Sequence, residues 1–527
     1  MTKSPCSSTT IQRRSSTRPR ASIETSSTFS GAQLLMGWMV RDSMCMLAGL
    51  RCGDGRPRLR SRVVASPATA SALDPRTAAL GTCLVTGGAG YLGRMLATHL
   101  AELGIPVRVF DRVRPIGLPA GVEARVGDIR DATAVHQACA GVDTVFHAAS
   151  VIQPLRIASE AVRADVRAIN VGGTRNVLDA ARATGVARVV YTSSVNVVVD
   201  RPYAGGDESA PYADLAGIDL YTETKAEAER LVLAADGDVL ATCALRPGGI
   251  YGPGEPQHFP RIVREALQGR VVALIDGGRA LADNVYIDDL VAAHRMAAEA
   301  LTEADAKNRG RAYFINDGEP QNYFHFFRPT LDALGIPFPT RTVPAALVEP
   351  VTQLGELLHS LGGPRPPLTT MELDKLRHDH FFSIGGAARD FGWRPEVPPA
   401  EGHRRCADWV AQLADEERTR MADDVERPAL GWWIAIGGGM GLLLALAFVP
   451  EAYAFWRRHV GPMMPRRVLQ GIAVVALGLH AGEAAYAYRV ARKHGLPKAG
   501  KWAWQTLLLG YPSLRLLLAR VRRETGA

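Results

Sequence analysis

Three polar side chains near the middle of the chain could together take part in a proton transfer. Tyr221 and Lys225 are four residues apart in a segment with a helical pattern, so their side chains lie on one face of that helix. An ammonium group beside a phenol stabilises the phenolate and lowers the phenol pKa from about 10 towards neutral pH. Ser194 comes 27 residues earlier, at the predicted end of a strand, where open α/β sheets bind their ligands. A phenolate there can accept the proton of an alcohol, although a tyrosine–lysine pair on an ordinary surface helix has the same spacing.

A glycine-rich turn near residue 90 is the first element that would position such a site. The apolar segment Cys83–Val85 predicts a strand, T-G-G-A-G-Y-L-G follows at Thr86–Gly93, and a helical pattern begins at Met95. This order brings backbone N–H groups and the positive end of a helix dipole to one place, which favours a pyrophosphate group. One glycine allows the tight turn, one lets phosphates approach the backbone, and one lets the helix pack closely on the strand. The residues expected to contact the phosphates are Gly87, Gly90, Tyr91, Leu92 and Gly93.

Short apolar strands alternate with helices between residues 83 and 192, and this order predicts a parallel sheet covered by helices on both faces. The predicted strands are 83–86, 107–111, 124–126, 144–147 and 189–192, and the predicted helices are 95–103, 132–140 and 161–184. Asp111 closes the second strand, eighteen residues after Gly93. A carboxylate there hydrogen-bonds the adenosine ribose and repels a 2′-phosphate, which favours NAD over NADP. The adjacent Arg112 could accompany such a phosphate, so NADP remains an alternative.

Charge is distributed unevenly along the 527 residues. The first 80 residues carry a net charge of +8 and residues 428–527 carry +10, so the middle of the chain is −10 within an overall net charge of +8. The pI of about 9.2 therefore reflects the two ends, and nucleic-acid binding is not expected. The seven cysteines have no C-x-x-C spacing, which indicates reduced thiols and argues against a zinc site. His378-Asp379-His380 lacks a third ligand at a suitable spacing, so no metal site is predicted.

The two ends of the chain differ in kind from the middle. Residues 1–79 are rich in Ser, Thr, Arg and Ala without a sustained period, which is typical of an organellar transit peptide or of a disordered extension. Residues 428–450 contain no charge and are long enough to span a bilayer. A second segment, 468–488, is apolar apart from one His–Glu pair, and a third, 502–519, is interrupted by an arginine and is a weaker span or an interfacial helix. We expect two or three membrane helices in residues 428–527.

Residues 81–415 resemble the extended short-chain dehydrogenase/reductase superfamily. The motifs that carry the resemblance are T-G-G-A-G-Y-L-G (Thr86–Gly93), G-D-I-R-D (Gly127–Asp131), H-A-A-S (His147–Ser150), N-V-G-G-T-R-N-V (Asn170–Val177), Y-T-S-S (Tyr191–Ser194), the Tyr221/Lys225 pair, L-R-P-G-G-I-Y-G-P-G (Leu245–Gly254), N-V-Y-I-D-D (Asn284–Asp289) and F-G-W-R-P (Phe391–Pro395). Several of them are most similar to the 3β-hydroxysteroid dehydrogenase and sterol-4α-carboxylate 3-dehydrogenase group.

The resemblance implies an α/β fold, with a doubly wound parallel Rossmann sheet and a smaller C-terminal substrate lobe. The chain would then have three parts: an extension or targeting segment at 1–79, a catalytic region at 80–427 that holds both lobes, and a membrane domain at 428–527. All matched motifs fall within the second part.

The resemblance also implies a role for each matching residue. Tyr221 would be the catalytic acid/base, and Lys225 would hold the nicotinamide ribose and tune the tyrosine. Ser194, in preference to Ser193, would hydrogen-bond the reacting oxygen. The cofactor would be contacted further by Asp128 and Ile129 near the adenine, by His147, Ala148 and Ala149 along its length, and by the backbone of Pro247 and Gly248 near the nicotinamide.

The implied function is the NAD-dependent oxidation of the 3β-hydroxyl group of a sterol or steroid by a membrane-anchored enzyme. If the substrate carries a 4α-carboxylate, the ketone formed would ease the loss of carbon dioxide, because the resulting carbanion is an enolate. Two alternatives stay open: a dehydrogenase or epimerase that acts on a nucleotide sugar or another secondary alcohol, and a membrane scaffold that binds NAD(H) without turnover.

The resemblance further implies a homodimer formed through the helices that carry Asn170 and Tyr221. We expect attachment to the endoplasmic reticulum with a cytosolic catalytic region, while the N-terminal composition leaves a plastid or mitochondrial membrane as an alternative.

Overall fold

The computed structural model describes residues 74–525 except 154, 157, 215–217, 361–365, 367, 429 and 463. The hypothesis of a transit peptide or disordered extension at 1–79 therefore lies almost entirely outside the described residues.

The described elements follow the predicted alternation closely. In chain order the strands are β1 Cys83–Thr86, β2 Val107–Asp111, β3 Glu123–Val126, β4 Thr144–His147, β5 Arg188–Thr192, β6 Tyr203–Gly206, β7 Ala241–Pro247, β8 Gly249–Tyr251, β9 Leu274–Ile275, β10 Leu281–Ala282, β11 Asn284–Tyr286, β12 Arg311–Ile315, β13 Gln321–Asn322, β14 Thr342–Val343 and β15 His380–Phe382. The α-helices are α1 Pro75–Ala78, α2 Tyr91–Glu102, α3 Ala132–Cys139, α4 Glu160–Arg167, α5 Gly173–Thr184, α6 Leu220–Ala234, α7 His258–Leu267, α8 Ile287–Ala300, α9 Tyr323–Phe326, α10 Arg328–Ala333, α11 Ala345–Ser360, α12 Thr370–Arg377, α13 Gly385–Phe391, α14 Pro399–Asp423, α15 Leu430–Trp432, α16 Gly439–Phe448, α17 Pro450–His459, α18 Arg466–Lys493, α19 Ala499–Leu509 and α20 Tyr511–Thr525.

Seven strands form the central sheet in the order β12-β7-β5-β4-β1-β2-β3, and every neighbouring pair is parallel. The strand order reverses at β1, because the chain adds β2 and β3 on one side and β4 onwards on the other. Open parallel sheets bind ligands outside the carboxyl ends of the strands at such a reversal. The predicted doubly wound Rossmann sheet is confirmed, and its reversal lies next to the glycine turn.

Local capping explains where several helices begin and end. Side chains of Asp131 and Asp219 accept backbone N–H hydrogen bonds at the starts of α3 and α6. Thr369 and Glu372 form a reciprocal capping box at the start of α12. Gly185, with a φ of 78°, ends α5 in the left-handed conformation. These caps fix the start of α6, the helix that carries Tyr221.

The predicted uninterrupted helix at 161–184 is wrong in one respect. The structure divides it into α4, a π-helical turn at Ala168–Gly172, and α5. A π turn inserts an additional residue into a helix and changes the direction of the side chains that follow. Here it directs the buried Asn170 side chain towards Val151 and Thr224.

The smaller lobe is built mainly from the chain after β7, as predicted. Its four-stranded sheet has the order β13-β10-β15-β6, and two strand pairs, β8 with β11 and β9 with β14, lie beside it. Trp393 is fully buried, and its indole N–H donates to the carbonyl of Asp289 at 3.0 Å. The F-G-W-R-P segment thus holds the start of α8 against the end of the lobe.

The C-terminal helices differ from the predicted spans in two places. Among the described residues, α18 is long and apolar enough by itself to cross a membrane, by length and composition. Ala435–Phe448 and α17 meet that test together but are bent by 102°, so the predicted first span is a helix that turns sharply at Pro450. The predicted third segment, 502–519, is wrong as one helix, because Gly510 divides it into α19 and α20 with a φ of 62°.

The His480–Glu483 pair of α18 packs against the break at Gly510 between α19 and α20. The Nδ1 atom of His480 is 2.9 Å from the carbonyl oxygen of Leu507. A Cβ placed on Gly510 would lie 2.8 Å from Glu483 Oε2 and 3.0 Å from His480 Nε2. The pair therefore packs against a position that only glycine fits, and it has a structural use.

The C-terminal helices also hold the segment that follows α14. Arg520 donates to the carbonyl oxygens of Ala422 and Asp424, the latter at 2.6 Å. The amide of Gln505 donates to the carbonyl of Glu426 at 2.8 Å. Carbonyls at a helix C-terminus lack intrahelical partners, so α20 completes the end of α14.

Candidate active site

The glycine turn presents bare backbone at the start of α2. Gly87 has a φ of 73°, and a Cβ there would lie 2.8 Å from the backbone nitrogen of Ala149. A Cβ on Gly93 would collide with the carbonyl oxygen of Gly87. Gly90 is the N-cap of α2, and no side chain caps the helix at this end. The first N–H groups of α2 are therefore open to an anion, as the dinucleotide site requires.

Tyr91 and Leu92, two of the predicted phosphate contacts, turn their side chains inward. Leu92 is buried in the core. The Tyr91 hydroxyl is buried without a hydrogen-bond partner in the described part of the chain, and it lies against Gly252. Burial raises the pKa of Tyr91 above its ordinary value, so the phenol is neutral. Both residues can meet a phosphate through their backbone N–H groups, not through their side chains.

Asp111 lies at the end of β2 beside the glycine turn, as predicted. Its Oδ2 atom accepts a hydrogen bond from the backbone N–H of Ala89 at 3.0 Å, and its Oδ1 atom accepts one from Val113 at 3.2 Å. Arg112 is exposed next to it. The carboxylate therefore shapes the turn, and its contact with a ribose stays a prediction.

Asp128 and Ile129 follow the neighbouring edge strand β3. The hydrogen-bonded guanidinium of Arg130, 2.6 Å from Asp128, lowers the pKa of this carboxyl group, and the charge of Arg112 adds a smaller effect. Ile129 is buried, and a Cβ on Gly173 would lie 2.6 Å from it. Asp128 is thus an ionised group at the edge of the site, while Ile129 packs between β3 and α5.

His147 does not place its ring where a cofactor could touch it. The imidazole is 1% exposed; Nδ1 is 2.8 Å from the Thr86 hydroxyl and Nε2 is 2.9 Å from the Thr174 hydroxyl. Thr174 donates its proton to the carbonyl of Asn170 at 2.6 Å, so it accepts from Nε2–H, and Nδ1 accepts from Thr86. Burial lowers the pKa of His147 to about 3. Both ring nitrogens thus bond to protein groups and the ring holds the strand ends together, so the predicted cofactor contact of His147 is left to its backbone.

Ala148 and Ala149 lie directly beside the glycine turn. The backbone N–H of Ala148 donates to the carbonyl of Thr86, and that of Ala149 donates to the Thr86 hydroxyl, both at 3.3 Å. The two alanines therefore form the wall opposite Gly87, where small side chains leave room for a ligand.

Two residues outside the predicted site, Asn170 and Thr224, connect its parts. Asn170 accepts from the N–H of Val151 at 2.8 Å and donates to the carbonyl of Val151 at 3.0 Å and to the Thr224 hydroxyl at 2.9 Å. Thr224 precedes Lys225 on α6. The N-V-G-G-T motif and the second threonine of Y-T-E-T-K could have indicated these two residues. The contact between Asn170 and Thr224, however, depends on the π turn.

Ser194 and Tyr221 meet at the carboxyl end of β5. Burial raises the pKa of Tyr221 to about 12, while a hydrogen bond with Ser194 acts in the opposite direction. Ser194 also accepts from the backbone N–H of Asn196 at 3.3 Å. The Ser193 hydroxyl is buried without a hydrogen-bond partner among the described atoms. Of the two serines, Ser194 is thus the one that contacts Tyr221.

Lys225 is 3% exposed on the same side of α6. Its Nζ atom donates to the carbonyl of Thr192 at 2.6 Å and lies 4.6 Å from the centre of the Tyr191 ring. Burial lowers the pKa of Lys225 to about 7, and the charge of Glu229 opposes this shift. The predicted lowering of the Tyr221 pKa by this ammonium is not found in this arrangement, because burial disfavours both charges.

A buried ion pair continues the spacing of four residues along α6. Glu229 follows Lys225 by one turn, is fully buried, and accepts from Arg246 at 2.6 Å and from the Tyr212 hydroxyl at 2.7 Å. Sequence reasoning missed it, although the K-x-x-x-E spacing and the arginine of L-R-P-G-G were visible. The pair anchors α6 to β7 behind the site.

Pro247 and Gly248 lie where β7 leaves the central sheet. A Cβ on Gly248 would lie 2.6 Å from the carbonyl oxygen of Asp283, so the two lobes meet here through bare backbone. Burial raises the pKa of Asp283 to about 8, although its carboxylate accepts from Phe382 N–H at 2.7 Å. The two predicted backbone contacts are thus at the junction of the lobes.

Within the described ranges, no group of three or more His, Cys, Asp or Glu side chains could hold a metal ion. Asp379 accepts from the backbone N–H of Leu281 at 2.8 Å, and the His380 ring is 2.9 Å from the carbonyl of His378. These side chains therefore hold the backbone near the start of β15 through hydrogen bonds.

Two sequence families match different parts of the chain. Residues 84–345 match the 3-beta hydroxysteroid dehydrogenase/isomerase family. Residues 431–519 match the family of transmembrane protein 254. The first match covers the glycine turn, Ser194, Tyr221 and Lys225, and the second covers the C-terminal helices.

Curated relatives agree with the first match, and a solved structure shows the same fold. The 3 beta-hydroxysteroid dehydrogenase/Delta 5→4-isomerase of Mycobacterium tuberculosis is 42% identical over 347 residues, which are 64% of this chain and 93% of that protein. Short-chain dehydrogenase/reductase family 42E member 1 of Bos taurus is 40% identical over 332 residues, 60% of this chain and 84% of that protein. A solved epimerase from Methanothermobacter thermautotrophicus has the same fold, with a TM-score of 0.52 at 21% identity over 66% of this chain and 97% of the epimerase chain.

Proposed function

Since the chain belongs to the 3-beta hydroxysteroid dehydrogenase/isomerase family of extended short-chain dehydrogenases/reductases and is an NAD(P)-dependent oxidoreductase, we propose that it oxidises the 3β-hydroxyl group of a sterol or steroid with NAD at a membrane. One observation carries the proposal. Ser194, Tyr221 and Lys225 lie together at the carboxyl end of β5, in a sheet whose glycine turn offers uncapped N–H groups. Oxidation of an alcohol needs a group that removes the hydroxyl proton and a group that holds the oxygen.

Each residue has a distinct task in the proposed reaction. Tyr221 accepts the hydroxyl proton at its phenol oxygen, and Ser194 donates a hydrogen bond to the same substrate oxygen. Tyr221 must be ionised to accept this proton, and burial opposes that ionisation. In the proposed reaction a protonated Lys225, held by the carbonyl of Thr192, supplies the positive charge that favours the phenolate. A nicotinamide dinucleotide held by the glycine turn supplies the hydride acceptor. Because burial lowers the Lys225 pKa to about 7, this charge depends on pH near neutrality.

The preference for NAD is proposed from Asp111. Its carboxylate stands at the end of β2 beside the turn, where it would hydrogen-bond a ribose and repel a 2′-phosphate. The exposed Arg112 is the residue that would accompany NADP.

Membrane attachment is proposed from the C-terminal helices. Arg466–Lys493 has the length and composition of a span, and an enzyme at a bilayer can reach a substrate that dissolves in lipid. We place the catalytic region on the cytosolic side of the endoplasmic reticulum, where NAD is present. Single cysteines next to Arg458 and Lys498 in sealed microsomes test this: labelling of both from the catalytic side supports a re-entrant bent pair, and labelling of Lys498 alone supports two ordinary spans. Release of the chain by alkaline carbonate would refute integral attachment.

A substrate panel tests the reaction. The full chain in detergent, supplied with NAD, should form NADH with a 3β-hydroxysterol, and a 4α-carboxylated sterol would in addition show whether carbon dioxide is lost. The 3α-hydroxy epimer and uridine diphosphate sugars serve as comparison substrates. Turnover of the sugars without turnover of any sterol would overturn the proposal, and binding of NAD without any turnover would support a sensing scaffold instead.

We also propose a homodimer that pairs through α4 to α6. Light scattering of the catalytic region at micromolar concentration should give twice the chain mass, and a monomer would refute this arrangement.

A further inference from the structure

A cleft of about 440 Å³ lies beside the catalytic helix α6, where β7, β12 and α13 border it. Its charged lining residues are Glu208, Arg246, Arg311, Arg389 and Asp390. The described lining contains none of the residues proposed for catalysis or for contact with the dinucleotide. The volume is within the usual range of ligand pockets, about 300–1,000 Å³. The cleft therefore has room for a small ligand outside the proposed active site.

Two arginines at the mouth of the cleft share a single carboxylate. Arg311 and Arg389 lie 3.5 Å and 2.9 Å from oxygens of Asp390. Their side chains are 62% and 67% exposed, whereas the Asp390 side chain is 3% exposed and also accepts from the Tyr313 hydroxyl at 2.8 Å. One buried carboxylate thus faces two guanidinium groups that extend towards solvent, and part of their positive charge is left for another anion.

Deeper in the cleft, Arg246 has a donor that it does not use. Its side chain is 5% exposed, and its Nε and Nη2 atoms donate to Glu229 of α6. Its Nη1 atom is buried and has no hydrogen-bond partner in the described part of the chain. The neighbouring Tyr212 hydroxyl already donates to Glu229 at 2.7 Å. Because a buried N–H without an acceptor is costly, an oxyanion in the cleft would satisfy an unmet group.

Glu208 is the lining residue whose charge would oppose an anion. Burial raises the pKa of its carboxyl group above the ordinary value, which weakens that opposition. Its Oε1 atom accepts from the backbone N–H of Phe314 at 3.4 Å. An amide at this position would keep that acceptor and remove the charge, so Glu208 offers a direct test of the sign of charge that the cleft prefers.

We propose that this cleft binds a phosphoryl group, either free phosphate or that of a small metabolite, with Arg246, Arg311 and Arg389 as its donors. Guanidinium groups match the oxygens of phosphate in geometry and in charge. A phosphate group offers three acceptor oxygens and a charge of about −1.5 to −2, so it can engage three arginines, whereas a carboxylate has two oxygens and one charge. The inference goes beyond the proposed reaction and does not depend on its substrate.

Calorimetric titration of the full chain in detergent tests the site. The protein is saturated with NAD beforehand, so that the glycine turn is occupied and does not contribute phosphate binding of its own. Inorganic phosphate and adenosine 5′-monophosphate are the two probes, and one equivalent should bind. Equal affinity for both would assign the cleft to free phosphate, and tighter binding of the nucleotide would assign it to a phosphorylated metabolite. No saturable binding of either probe below about 10 mM would overturn the proposal.

Three variants test whether the anion binds in the cleft. Arg311→Gln should weaken phosphate binding about tenfold, because it removes a charged donor. Glu208→Gln should strengthen binding about threefold or more, because it removes a negative charge and keeps an acceptor for Phe314. Arg404→Gln is the matched control, since it removes a 73% exposed arginine that is paired with Glu401 and does not line the cleft. Unchanged affinity in Arg311→Gln, weaker binding in Glu208→Gln, or equal weakening in Arg404→Gln would overturn the proposal.

Thermal unfolding gives a second measurement that holds even if a variant is less stable. Phosphate should raise the Tm of the wild-type protein, since a ligand of the folded state stabilises it by mass action. The rise should be smaller in Arg311→Gln and larger in Glu208→Gln. Sodium chloride at equal ionic strength controls for screening, and an equal rise with chloride would overturn the proposal. Neither measurement requires turnover, so a failure of the proposed reaction would be seen separately in the substrate panel.

Discussion

The region around β5 and α6 differs from the C-terminal helix α18 in the kind of side chain that it buries. Around the proposed catalytic residues, Lys225, Glu229 and His147 are almost fully buried, and each has hydrogen-bond partners within 3 Å. Along α18, Val475 and Leu479 are 63% and 64% exposed. The first region keeps ionisable groups in its interior, and the second presents apolar groups to its surroundings.

This difference indicates what each region depends on. A charge buried without partners costs several kcal/mol, so the catalytic region must hold its polar groups through its own packing. Exposed aliphatic side chains are unfavourable in water, and this is the reason for proposing that α18 lies in an apolar phase. Substitutions in the catalytic region should therefore change the chemistry without releasing the chain from a membrane, and changes in the C-terminal helices should do the reverse.

The largest expected effect comes from Tyr221→Phe. Loss of the proton acceptor should reduce turnover about 10²- to 10⁴-fold, which is the usual contribution of a general acid or base. Isothermal titration should show nearly unchanged NAD binding, and the variant should stay membrane-bound. Tyr203→Phe is the matched control, because the Tyr203 hydroxyl is buried without a partner among the described residues. If Tyr221→Phe retained more than a few per cent of activity, its proposed role would be wrong.

Lys225→Met should lower turnover about tenfold or more and weaken NAD binding, since in the proposed reaction this side chain supplies a positive charge to the phenol and holds the nicotinamide ribose. It should also change the pH dependence of stability. The folded-state pKa of Lys225 is about 7, below the unfolded value, so the unfolded chain binds more protons above pH 7 and stability rises with pH there. Urea unfolding should show this rise reduced in the variant by up to about 1.4 kcal/mol per pH unit between pH 7 and 9. If the free energy of unfolding depended on pH equally in the wild type and in the variant, the lowered pKa of Lys225 would be contradicted.

Asp111→Ala should raise the ratio of NADP-linked to NAD-linked kcat/KM about tenfold, because a carboxylate that repels the 2′-phosphate is removed while Arg112 stays. Asp111→Asn keeps a hydrogen-bond acceptor for the N–H of Ala89 and so controls for loosening of the turn. A wild-type protein that already prefers NADP would refute the proposed cofactor preference.

Removal of residues 428–527 should have the smallest effect on chemistry. We expect a soluble, folded protein whose activity on detergent-dispersed sterol stays within about twofold and whose activity on membrane-embedded sterol is poorer. Loss of the Arg520 hydrogen bonds to the end of α14 should lower Tm by about 2–5 °C. Circular dichroism shows whether the truncated protein is folded, and differential scanning calorimetry measures its Tm. An unfolded or inactive product would show that the two regions are not separable in this way.

Much of the fold and part of the site could be predicted from local patterns. The glycine turn, the strand that ends at Asp111 and the tyrosine–lysine pair on α6 were found because each depends on residues close in sequence. The Glu229–Arg246 pair was missed because its partners lie on different elements. The predicted third membrane segment was wrong because hydropathy does not register a glycine with positive φ at position 510.

The sequence by itself determined the order of the elements, the turn at which a dinucleotide can bind, and the charge-free segment near the C-terminus, because spacing and composition act over a few residues. The tertiary structure decided the rest. The His147 ring faces inward because Thr86 and Thr174, far apart in sequence, meet on either side of it. Lys225 points to the carbonyl of Thr192, and α11 turns its leucines outward, because burial and partner positions depend on how distant segments pack.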